Sequence, residues 1–181
     1  MTDVKHEIQN MVLTVNYRDT EFDLERLAGS LKGARYDPEV FPGIAYRMAE
    51  PQASFLIFAS GKMNCVGARK LEDARKAIDK LTAKIRETGA EIESEPQIEV
   101  QNIVASFDFG RKFDLEKIAR NHRNTEYEPE VFPGLVFRME EPKAVILLFV
   151  SGKGVGAGFE KQESVMRAAR KIVENTEHET L

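Results

Sequence analysis

The chain is written twice, and this constrains its fold more than any other feature. Residues 7–17 read EIQNMVLTVNY and residues 99–109 read EVQNIVASFDF. The stretch YDPEVFPGIAYRM at 36–48 returns as YEPEVFPGLVFRM at 127–139, and EPQASFLIFASGK at 50–62 returns as EPKAVILLFVSGK at 141–153. The offset is 92 residues at first and 91 after a one-residue gap near Asp19. A unit of this length in two copies is too long and too rarely repeated for a solenoid. It predicts a pseudo-twofold protein, the intrachain counterpart of a symmetric dimer. The predicted division is 1–90 and 91–181, the second part ending in a short acidic tail with Glu174, Glu177 and Glu179.

Each copy carries the same element signals. Residues 7–17 alternate, with Met11, Leu13 and Val15 on one side and Asn10, Val12 and Thr14 on the other, which is the period of a strand. Asp23 is placed to cap a short helix bearing Leu24, Leu27 and Leu31. Strands follow at about 44–49, 53–59 and 62–68, punctuated by Pro51 and by Ser60-Gly61. Leu71 to Glu87 reads as a helix with Leu71, Ala74, Ile78, Leu81 and Ile85 on one stripe. The second copy ends in a helix at about 161–175. The order is βαββββα in each copy, and hairpin connections predict an antiparallel sheet with helices on one face.

The other face of that sheet is unusual. Ser54, Leu56, Phe58 and Ser60 share it with Lys62, Asn64 and Val66 and with Asn10, Val12 and Thr14. It is apolar in patches, with scattered amides, hydroxyls and lysines. The opposite parity, Met11, Leu13, Val15, Phe55 and Ile57, is wholly apolar and suits packing on helices. A large open apolar surface marks a binding site.

Composition excludes several classes. Hydrophobic residues make up 42% and charged residues 31% of 181, the balance of a globular chain. The longest apolar run, about Ala144 to Val150, is far short of a membrane span. No apolar leader follows the early charges, so no signal peptide is expected. Cys65 is the sole cysteine and has no ligand-spaced partner, so no disulfide, metal or cofactor is expected. The histidines, His6, His122 and His178, do not repeat between the copies, and no nucleophile–base set or phosphate loop is visible, so the chain does not read as an enzyme. The net charge of −4 argues against a uniformly basic nucleic-acid binder but not against a local basic face.

The duplicated QN-x-V, Y-x-P-E-V-F-P-G and F-x-SGK motifs resemble those of the TATA-box-binding protein family, archaeal type, over about residues 4–175. The resemblance implies an α+β fold in which two pseudo-symmetric βαββββα repeats make one continuous ten-stranded antiparallel saddle, with four helices on its convex face. It implies a general transcription factor that binds A·T-rich promoter DNA in the minor groove. The family is itself the type example of a binder that kinks the duplex there, by about 80°.

Residue by residue, the resemblance assigns Phe41, Phe58, Phe132 and Phe149 as intercalating wedges. Taken alone, Phe58 and Phe149 read as core. Asn10 and Asn102 match the pair that reaches base acceptors at the centre of the site. Val12, Val104, Leu56, Leu147, Val66, Val155 and Ala157 match its minor-groove floor. Arg47, Arg138, Lys62, Lys153, Ser60 and Ser151 match phosphate contacts. Glu128, Glu130 and Val131 match the loop that meets transcription factor B, and the first copy has the similar Asp37-Pro38-Glu39-Val40. Implied partners are double-stranded promoter DNA, transcription factor B and RNA polymerase, in a cytoplasmic, nucleoid-associated setting. A homodimer of the DNA-free protein stays open.

Four departures stand out. Val66 and Ala157 occupy positions where the family carries threonines, Asn64 replaces a floor valine, and Glu160 replaces a lysine. The last strand, GKGVGAGFE, is rich in glycine, which weakens strands or marks close approach. These changes bear on promoter stringency and keep open an alternative, a saddle-fold adaptor or ligand-binding module with little TATA specificity.

Overall fold

The computed structural model describes residues 3–181. They form two compact units, one of residues 10–101 and one of residues 102–181 with the residues up to Gln9. Strand β1 (Lys5–Asn16) ends in the first unit, where α1 (Leu24–Ser30), β2 (Gly43–Met48), β3 (Ala53–Phe58), β4 (Lys62–Ala68) and α2 (Leu71–Glu87) follow. The second unit takes most of β5 (Gln97–Asp108), then α3 (Leu115–Asn121), β6 (Thr125–Glu126), β7 (Leu135–Glu140), β8 (Lys143–Leu148), β9 (Lys153–Phe159) and α4 (Gln162–Asn175). Strand order is β2-β3-β4-β1 in the first and β5-β9-β8-β7-β6 in the second. The strand ladders within each unit are antiparallel. The fold is α+β, as the repeat predicts.

Among the described residues, the expected ten strands are nine. The missing one is the first-unit counterpart of β6, reduced to an isolated bridge between Arg35 and Ala45. The cause lies one residue earlier. Asn124 clasps Arg138 through its side-chain Nδ2, which donates to the Arg138 carbonyl at 2.5 Å, while its own carbonyl accepts the Arg138 N–H at 2.8 Å. Gly33 stands at the equivalent position with no side chain to make that clasp.

Alternation sets the core. Met11, Leu13 and Val15 of β1, Phe55 and Ile57 of β3, and Met63 and Cys65 of β4 are all buried to within 1% exposure. Ala74, Ala77, Ile78, Leu81 and Ile85 of α2 close over them, and Val165, Ala168, Ala169 and Ile172 of α4 do the same in the second unit. Each large aliphatic side chain so buried contributes roughly 1.5–3 kcal/mol. Both short helices are capped as expected. Asp23 accepts the Arg26 N–H at 3.2 Å and Asp114 accepts the Lys117 N–H at 3.1 Å, each cap worth about 1 kcal/mol.

The glycines of β9 are a packing solution. A Cβ at Gly156 would sit 2.8 Å from the Phe159 ring and 2.9 Å from the Phe107 ring, and one at Gly154 would sit 3.0 Å from the Phe109 ring. The first unit has Met63 and Cys65 at these positions and smaller residues, Val15 and Ala68, where the second has Phe107 and Phe159. The volume moved from the strand to its neighbours, as close packing demands. The ladder did not slip. Val145 faces Ala157 and Leu147 faces Val155, matching Ser54 with Val66 and Leu56 with Asn64.

The acidic tail is built in, not loose. Glu179 is buried, accepts from Asn121 Nδ2 at 2.8 Å, and lies 2.9 Å from His122 Nε2. Its backbone carbonyl accepts the Asp114 N–H, which joins the tail to the start of α3. Glu179→Ala should leave Asn121 and His122 without this partner and lower unfolding stability by about 1–3 kcal/mol, readable in urea titration. Glu177→Ala, at an exposed site, should change it little.

Candidate nucleic-acid interface

The face that does not meet the helices is half-buried in both units. In the first, Val12 pairs Val66, Val66 pairs Ser54 and Ser54 pairs Arg47, so one row runs across the strands from an apolar floor to an arginine. The next row is Thr14, Asn64, Leu56 and Ala45. In the second unit the rows are Ala157, Val145 and Arg138, and then Ser106, Val155, Leu147 and Val136. Val104 lies beside them at the irregularity between Ile103 and Ala105. Val155 is 38% exposed, high for a strand valine. Ser106, Val136 and Val145 belong to this face and escaped the sequence reading. Period-two counting from Arg138 and Leu147 finds Val136 and Val145.

Asn10 and Asn102 are held alike. Asn10 Oδ1 accepts the Gly67 N–H at 2.8 Å and Asn102 Oδ1 accepts the Gly158 N–H at 2.7 Å. Both glycines have positive φ, +104° and +96°, beside an irregularity in the ladder that frees this N–H. Anchoring the amide by its oxygen leaves Nδ2 as the outward group, a pure donor. Among the described residues neither Nδ2 has a hydrogen-bond partner.

The four phenylalanines form two pairs. Phe41 and Phe58 meet edge to face with centroids 5.8 Å apart, and Phe132 and Phe149 do so at 5.9 Å. Phe41 and Phe132 are 38% and 40% exposed. The Pro-Gly that follows each loop phenylalanine has a steric reason. A Cβ on Gly43 would lie 3.0 Å from Phe41 and 3.1 Å from Phe58, and one on Gly134 would lie 2.7 Å from Phe132 and 2.9 Å from Phe149. Both rings therefore rest over bare backbone.

The cations differ between units. Lys153 Nζ lies 2.7 Å from Asp108 Oδ2, and Arg138 lies 3.7 Å from Glu126. Lys153 and the Gly110 N–H hold the Asp108 carboxyl below the usual range. Lys62 stands opposite the neutral Asn16, and Glu99 lines the same groove. Ser60 and Ser151 are exposed in the tight turns before these lysines. The loops at 37–41 and 128–132 fold back through N–H bonds from Phe41 to the Asp37 carbonyl and from Phe132 to the Glu128 carbonyl, both 2.9 Å. This thrusts Val40 and Val131 outward, 81% and 80% exposed, beside exposed Glu39, Glu128 and Glu130.

Among the described residues, no group of three or more His, Cys, Asp or Glu is placed to hold a metal, and no helix is long and apolar enough to cross a membrane. Burial pushes the Cys65 thiol up to about 11, so it is an unreactive core group.

Each unit presents strands packed by helices on one side and open, apolar and flanked by cations on the other, so the binding surface is duplicated. The sequence profile described as "Transcription factor TFIID (or TATA-binding protein, TBP)" matches residues 5–88 and 97–177. The TATA-box-binding protein of Thermococcus celer is 42% identical over 177 residues, covering 98% of this chain and 93% of that protein. TATA-box-binding protein 2 of Haloferax volcanii is 46% identical over 170 residues, covering 93% and 91%. The solved structure of Methanococcus jannaschii TBP superposes with a TM-score of 0.88 at 41% identity, covering 96% of this chain and 99% of that one. The chain belongs to the TATA-binding protein family, a family of DNA-binding transcription factors.

Proposed function

We propose that the protein binds A·T-rich promoter DNA through the minor groove, bends it, and serves there as the platform for transcription factor B and RNA polymerase. The observation that carries this reading is the fixed orientation of Asn10 and Asn102. An outward amide donor suits adenine N3 and thymine O2, which are acceptors only. Around it, the floor of Val12, Val66, Leu56, Val104, Ala157, Leu147 and Val155 offers no acceptor to a guanine N2 amino group, which would be buried unpaired. Phe41, Phe58, Phe132 and Phe149 are the wedges, and Arg47, Arg138, Lys62, Lys153, Ser60 and Ser151 meet the phosphates. The repeats 1–90 and 91–181 each take one half of the site, and the protein works on genomic DNA inside the cell.

Asn102→Asp tests the donor. The carboxylate still accepts the Gly158 N–H, so the fold should hold, but the donor is replaced by an anion. We expect binding of a TATA duplex to fall by about 2 kcal/mol or more in equilibrium titration, with an unchanged melting temperature. Unchanged affinity would remove Asn102 from the site.

Changing Glu128 and Glu130 to arginine should weaken the ternary complex with transcription factor B while leaving binary DNA binding nearly intact. A gel shift with and without the factor reads both. A ternary complex as stable as the parent's would free this loop of the role.

A further inference from the structure

The two units are repeats, yet their cationic rims are not equivalent. Arg35 and Glu126 occupy matching positions, each paired with the strand that carries the face arginine, Arg35 with Ala45 and Glu126 with Val136. Asn16 and Asp108 also match, each opposite the lysine of an SGK motif, Lys62 or Lys153. At both positions the second unit has a carboxylate where the first has a cation or a neutral amide. The distances show these carboxylates in use, 2.7 Å for Asp108–Lys153 and 3.7 Å for Glu126–Arg138. Among the described residues, no carboxylate lies within ion-pair distance of Arg35, Arg47 or Lys62, although Glu99 lines the same groove as Lys62. Arg35 and Arg47 line one groove of the first unit together with Ser54, Leu56 and Val66.

We propose that the protein grips the DNA backbone unequally, with Arg35, Arg47 and Lys62 of the first unit making the strong phosphate contacts while Asp108 and Glu126 hold back Lys153 and Arg138 in the second. This rests on the DNA-binding reading above. A lysine that already has its own counterion in Asp108 releases less salt on meeting a phosphate, and any phosphate it reaches must lie near the Asp108 carboxylate. Each phosphate neutralised by a free cation makes the slope of log K against log salt more negative by about 0.9. The unpaired cations therefore dominate that slope. Bound DNA has a tightly held end under the first unit and a looser end under the second, although the wedges and amides repeat.

The test is fluorescence anisotropy of a labelled TATA duplex titrated with the full chain over a series of potassium chloride concentrations. The variants are Lys62→Gln, Lys153→Gln and Asp108→Asn. All three substituted residues sit at strand ends, Lys62 opening β4, Lys153 opening β9 and Asp108 closing β5, and thermal melts check that each variant folds. Lys62→Gln should reduce the magnitude of the slope by about 0.9, and Lys153→Gln by less than half as much. Asp108→Asn should steepen the slope and tighten binding at low salt by freeing Lys153. Equal loss of slope in the two lysine variants, or an Asp108→Asn slope equal to the parent's, overturns the inequality and leaves the binding reading in place. Failure of the parent chain to bind the duplex at any salt overturns both. Should a lysine variant not fold, Asp108→Asn alone still decides the question.

Discussion

Phe149→Ala is expected to weaken binding to a TATA duplex by about 2–4 kcal/mol, roughly 30- to 1,000-fold in Kd, and to reduce the bend. Two losses combine. The unstacked base step loses the apolar surface that covers it, and Phe132 loses the ring it leans on at 5.9 Å. Phe132 is already 40% exposed, so without Phe149 little holds it in the wedge position. Smooth bending of a site costs on the order of 1–6 kcal/mol, and two ring pairs can offset most of that. Because Phe149 is only half-buried, the cost to folding should be well below the ~3–5 kcal/mol of a core Phe→Ala change. Equilibrium titration and a thermal melt on the same variant separate the two. Parent-like affinity would mean that the ring serves its own unit's packing, and the wedge reading of this half would fail.

The largest effect on stability is expected at the glycine of the second SGK motif. A Cβ on Gly152 would stand 2.0 Å from the Arg111 carbonyl oxygen and 3.0 Å from its carbon, at a φ of +91°. Both contacts are backbone, so no side chain can swing away. Gly152→Ala should therefore destabilise the fold by about 3 kcal/mol or more. Gly61→Ala should behave alike, with the Thr20 carbonyl oxygen at 2.1 Å. Gly33 supplies the control. Its φ is also +91°, but nothing lies within 4 Å of its Cβ, so Gly33→Ala should cost only about 1 kcal/mol of backbone strain. Urea denaturation of the three variants gives the comparison. Equal small losses would show that the loop before α3 relaxes freely.

These turns also explain how far reading the chain alone could go. The alternation of Met11, Leu13 and Val15 and the cap at Asp23 are local patterns that each predicted an element, and the duplication carried them into the second unit. Face membership of Leu56, Phe58, Asn64 and Val66 followed from the same parity. What was not legible depended on partners far along the chain. The β9 glycines read as weakness or as close approach, and only the rings of Phe107, Phe109 and Phe159, which fill their space, decide for the second. Glu179 read only as part of an acidic tail because its partners, Asn121 and His122, lie 58 and 57 residues away. The Lys153–Asp108 pair needs the β5–β9 register, which no local pattern reveals. The outward amide of Asn102 needs the Gly158 N–H, exposed only by an irregularity in that ladder.

Val66 and Ala157 are, with Asn64, the open-face positions at which the resemblance expects other residues. The preserved register places both on the open face, opposite Ser54 and Val145. Neither carries a hydroxyl, so under the proposed function central base recognition rests chiefly on Asn10 and Asn102. Sequence selection from a random duplex pool should accordingly show strong preference for A·T over G·C at the centre and weak discrimination between A·T and T·A.

Bending is the central claim, and the distance between the ends of a TATA duplex measures it most directly. A short duplex carrying a donor and an acceptor dye at its two ends should show a marked rise in energy transfer when the protein binds. The rise should be smaller with Phe149→Ala and should be absent for a duplex in which G·C pairs replace the A·T run. Saturable binding with no change in energy transfer would mean a straight bound duplex, and the account of the four phenylalanines as wedges would be wrong.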